Sequence, residues 1–148
     1  HEYDGTFDMM AEMLRALVSE EGYWSIDTAG YMMDLGQVFH YIADYFTFPH
    51  NIEYPGTMTE HIHYEAQLKV DFREFVRKMK ETHAHFQEVN MRSADEICAF
   101  IKKCHTEYLH AVKSVENDCR YILQICAQVV GSILHLLQQN SMPLGCYM

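Results

Sequence analysis

From Leu68 through Phe72, Phe75, Met79, Thr82, Phe86 and Val89 the steps along the chain alternate between four and three residues. At 3.6 residues per turn these positions share one stripe of a helix, whereas a strand would divide them between two faces. The same rhythm recurs in Met32, Leu35, Phe39, Ile42 and Phe46, and in Ile97, Ile101, Cys104, Tyr108, Val115, Ile122, Val129, Ile133 and Leu136. Only three Pro occur in 148 residues, and no Gly-rich turn separates the stripes. The fold class this dictates is all-α.

Capping residues divide the helices. Thr6 suits an N-cap for a helix over 7–21, with Phe7, Met10, Leu14 and Leu17 on its apolar face and Gly22 beyond its end. A second helix over 26–46 stops at Phe48-Pro49. A loop over 47–57 follows. Thr57/Glu60 and Ser93/Glu96 have capping-box spacing and open helices over 58–90 and 94–139. The short link between those two predicts an antiparallel hairpin. The expectation is a single helical domain over 1–148, a four- or five-helix bundle built on that long hairpin.

Length then suggests a function. The third helix is ~50 Å long and the fourth ~70 Å if unbroken. The first two are too short to cover the difference. Unless the fourth helix kinks near Ser114 to Asp118, its apolar end overhangs and must be covered by a protein partner or a second copy. Ile122, Leu123, Val129, Val130, Ile133, Leu136 and Leu137 are the candidate interface. This reading makes the chain a non-enzymatic interaction or oligomerisation module, a coiled-coil-like scaffold with no catalytic residue and no cofactor.

Net charge is −10, with twelve acidic residues and one basic residue before position 67. Such a surface repels phosphate backbones and anionic lipid heads, so nucleic acid and membrane binding are not expected of this half. Lys69, Arg73, Arg77 and Lys80 form a stripe interleaved with Glu74, Glu81 and Glu88, the pattern of a solvated face with ion pairs. No run reaches the ~18 uncharged apolar residues of a membrane span, so no transmembrane segment is expected. Cys98, Cys104, Cys119 and Cys126 fall within one predicted helix, at spacings too long to bridge. Free thiols point to a reducing, cytoplasmic setting.

Ten His support an alternative, a metal-binding bundle of di-iron or zinc type. His61 and Glu65 lie four apart on one helix face, and Glu60-x-x-His63 and Glu107-x-x-His110 have the i,i+3 spacing of carboxylate-bridged centres. The candidate ligands are His61, His63, Glu65, Glu107 and His110. About the expected turn, His63 and His110 lie ~16 Å apart along the bundle, which argues against one shared centre. The Met-rich apolar faces admit a third reading, a carrier of a small apolar ligand.

His110-Ala111-Val112-Lys113-Ser114 is similar to the core of histidine phosphotransfer domains, four-helix bundles with His-x-x-Lys-Gly/Ser around the phosphorylated histidine. The resemblance covers five residues. Val115, Glu116, Asn117 and Asp118 stand where that family has small residues and glycine, and the acids would repel a phosphoryl group.

Overall fold

The computed structural model describes residues 2–51 and 53–141. Six α-helices follow one another among these residues: α1 (Tyr3–Leu17), α2 (Glu20–Trp24), α3 (Ala29–Tyr45), α4 (Met58–Glu81), α5 (Ala94–His110) and α6 (Val115–Asn140). A short 3-10 turn, Phe48–His50, lies between α3 and α4, and no strand occurs among the described residues.

The predicted stretch 7–21 starts earlier and divides. Ser19 accepts from the Gly22 amide and so opens α2 directly after α1. Gly22 is required there, because a Cβ would lie 2.4 Å from the carbonyl oxygens of Ala16 and Leu17. The N-cap of α3 is Thr28, whose hydroxyl accepts from the Tyr31 amide. α1 and α3 run antiparallel, tied at one end by Thr6 Oγ1 and Tyr45 Oη (3.0 Å) and at the other by Tyr31 Oη donating to Leu17 O (3.0 Å).

The third and fourth predicted helices both differ. The Thr57/Glu60 capping box opens α4 as expected. Its face carries Arg77 paired with Glu74 and Glu81. The helix ends at Glu81 rather than Asn90. His83 adopts a left-handed φ of 49°, the Ala84 amide donates to Met79 O and the His83 amide to Lys80 O. These two bonds are a Schellman stop. The chain then runs without helix to Ser93, held against α6 by Gln128 Nε2 donating to Gln87 O and Ser132 Oγ donating to Val89 O. These bonds use the Gln128 amide nitrogen and the Ser132 hydroxyl, both on side chains buried on α6.

The predicted helix 94–139 breaks at 111–114. Lys113 Nζ caps the end of α5 by donating to the carbonyls of Tyr108 and Leu109, both at 2.8 Å. Ser114 opens α6 by accepting from the Asn117 amide. The antiparallel hairpin therefore pairs α5 with α6, and its turn is at 111–114 instead of 90–93. Asp95 at the start of α5 and Asn140 at the end of α6 line one common cleft. α4 packs on α6 with Tyr64 beside Asp118, and the non-helical segment that follows α4 continues along α6 to Gln87 beside Gln128.

This break removes the overhang. Ile122, Val129, Ile133, Leu136 and Leu137 are buried in the chain's own core with Leu14, Leu17, Val38 and Ile101. Leu123 is half-buried, and Val130 and Leu134 face outward. α6 has the length and mean hydropathy (1.4) of a membrane span, yet its apolar face is this core. Cys98, Cys104, Cys119 and Cys126 are free thiols, while Cys146 lies outside the described residues.

Candidate metal centre

His40 and Asp44 are four apart on the last turns of α3, and His61 and Glu65 are four apart on the first turns of α4. Each pair shares a helix face. The turn Phe48–His50 brings His50 between them. His50 Nε2 and His61 Nε2 lie 2.9 and 3.1 Å from the same oxygen of Glu65, and the two rings meet nearly edge to face, 4.8 Å between centroids. One donor atom from each of His50, His61 and Glu65 lies within 4.8 Å of the other two. Asp44 adjoins them, 3.8 Å from His50 Nε2 and 3.4 Å from His40 Nε2.

Glu65 is held as an anion. Partial burial raises its carboxyl, but the hydrogen bonds and charge of His50 and His61 outweigh that and keep it below the usual range. An ionised carboxylate only accepts, so both imidazoles direct an N–H at one oxygen. Two imidazole nitrogens and a carboxylate are the donor set of open, three-ligand zinc sites. A divalent cation would replace the two protons that now converge there, so the residues fit the group.

The turn is anchored on two flanks. Asn51 Nδ2 donates to the carbonyls of Tyr45 (3.3 Å) and Thr47 (3.0 Å), which leaves Asn51 Oδ1 to accept from His105 Nε2 at 2.9 Å. His105 is buried and stacks on Tyr3, 4.0 Å between centroids. Burial pushes its imidazole down to about 4. On the other flank Asp118 accepts from the Phe48 amide and from Tyr64 Oη, each at 2.8 Å, and from Tyr108 Oη at 2.7 Å. A cleft of about 350 Å³ opens beside His50 and is lined by Tyr3, Asp4, Lys102 and His105.

Of the residues named from sequence, the structure brings His61 and Glu65 together. His63 is exposed outside the donor cluster, since it stands only two positions from His61. Glu107 is exposed, and His110 caps its own helix through Thr106 O (2.8 Å), on α5 rather than at the centre. The phosphotransfer-like stretch is a helix break, with His110 as the last residue of α5 and Lys113 beyond it. His40, Asp44 and His50 were missed. One signal was available: His40-x-x-x-Asp44 repeats the spacing of His61-x-x-x-Glu65.

Fold and donors together define a helical protein with a His–carboxylate centre suited to a divalent transition metal. Residues 1–115, well over half of the chain, match the family described as zinc dependent phospholipase C, and the chain belongs to that family. No curated protein and no solved structure matches it. Membership overturns the reading as a non-enzymatic interaction or scaffold module. The apolar residues of α6 that suggested an interface are instead buried in the chain's own core, and the metal-binding alternative is the one the family supports.

Proposed function

We propose that this chain is a zinc-dependent hydrolase acting on the phosphodiester of a phospholipid. The observation that carries the reading is the convergence of His50, His61 and Glu65 within a chain of the zinc dependent phospholipase C family. His50, His61 and Glu65 would hold the metal, with Asp44 and His40 adjoining. Bound there, zinc would supply Lewis acidity toward a phosphoryl oxygen and lower the pKa of a water. The chain's residues do the rest. The cleft beside His50 is assigned to the lipid headgroup, with Tyr3 and Asp4 offering an aromatic face and a carboxylate, and Lys102 a positive charge for phosphoryl oxygens. Phe48 and Tyr54 pack edge to face beside the metal residues, 5.1 Å between centroids.

The test is zinc content. The chain, stripped with chelator and re-equilibrated, is expected to bind zinc. His61→Ala and Glu65→Gln are each expected to weaken binding at least tenfold, while His110→Ala leaves it unchanged. Release of phosphorylated headgroup from phosphatidylcholine micelles should follow zinc occupancy. Zinc binding indifferent to His61 and Glu65 would refute this centre.

A further inference from the structure

The metal residues arrive on three separate segments: the end of α3, the turn Phe48–His50 and the start of α4. Within the turn, the backbone bonds are local, His50 N to Thr47 O and Asn51 N to Phe48 O, both 3.0 Å. None of these sets the turn against α4. One oxygen does. Asp118 Oδ2 accepts from both the Phe48 amide and Tyr64 Oη, so it fixes a residue two before His50 relative to the residue just before Glu65. The second oxygen accepts from Tyr108 Oη on α5, and Asp118 is itself built into the first turn of α6. The carboxylate is wholly buried.

We infer that Asp118 is a positioning residue of the metal centre, holding the His50 and Glu65 segments in register from a helix that carries no ligand. This rests on the metal reading above. The chemistry requires a two-oxygen acceptor: an apolar side chain there would strand one amide and two phenols, the Tyr108 hydroxyl buried and the other two donors partly buried. Stability alone does not call for a buried acid, because well-packed apolar residues serve stability as well or better. What a fully satisfied polar network adds is a single geometry. Asp118 lies beyond residue 115, where the family match ends.

Asp118→Asn and Tyr64→Phe test this in the intact chain. Zinc affinity is measured by chelator competition, and site geometry by the visible spectrum of the cobalt-substituted protein. Asp118→Asn is expected to keep its helical circular dichroism and a cooperative melt, yet to lose about 10–100-fold in zinc affinity, as outer-shell changes do. Tyr64→Phe is expected to show a smaller loss, and both variants an altered cobalt spectrum. Ile101→Val, a destabilising change in the core, should leave affinity and spectrum intact. A folded Asp118→Asn protein with wild-type zinc affinity and spectrum overturns the inference. So does a loss in Ile101→Val that tracks its stability. Should Asp118→Asn not fold, a wild-type spectrum and affinity in Tyr64→Phe overturns it equally. A wild-type chain that takes up no zinc removes the metal reading itself, a distinguishable result.

Discussion

His105 shows what burial does to one residue. Asn51 has both amide hydrogens committed, so the histidine is the donor and sits as the neutral Nε2–H tautomer. With its pKa lowered to about 4 by burial, the folded chain stays unprotonated where the unfolded chain takes up a proton. Between the ordinary histidine pKa near 6.5 and about 4, the unfolded state therefore binds more protons, and stability falls as pH falls. The loss from this residue is on the order of 3 kcal/mol across that window. Urea melts at a series of pH values should show it, and His105→Gln, which keeps a donor but does not titrate, should have a shallower slope. An identical slope in both would mean that His105 protonates as readily folded as unfolded.

Two helix starts were legible at the scale of elements because a cap is a local event: Thr57 and Ser93 each accept from the amide three residues on, a bond written in four consecutive residues. Ser114 makes the same bond inside what reads as one unbroken helix, and Thr6, read as a cap, lies within α1, whose N-cap is Glu2. Helix ends were less legible. α4 stops on a backbone motif in which His83 takes the left-handed region, although Phe86 and Val89 continue the apolar rhythm. α5 stops because Lys113 folds back on its last carbonyls, a use of lysine that a charge pattern does not announce. The candidate site divides in the same way. His61 and Glu65 share a helix face and could be read as a pair, whereas His50 joins them only through a turn placed by residues more than fifty positions away. The His83 stop carries its own prediction. Glycine bears no penalty in that region, so His83→Gly should stabilise the chain by about 1 kcal/mol. A lower thermal midpoint in that variant would show that the imidazole makes a compensating contact.

For the whole molecule, the α5–α6 break turns the end of α6 inward. Ile133 and Leu136 pack into the same core as Leu14 and Ile101. Replacing both by Asp would bury two charges with no partner, at a cost of several kcal/mol each. The double variant should therefore unfold, losing its helical circular dichroism, instead of separating into folded subunits. A folded, monomeric double variant would restore the view of this segment as an interface.

The order of residues along the chain has a consequence for how the centre is made. His40 through Glu65 leave the ribosome first, and Asp118 follows Glu65 by about 50 residues, roughly 3–10 s of synthesis. Until then the turn that carries His50 has no anchor on α6. The side chains proposed to coordinate are encoded early and acquire their geometry late, so the nascent chain displays loose histidines and acids before it offers a defined pocket. On the proposed reading, metal would load only after α6 has docked.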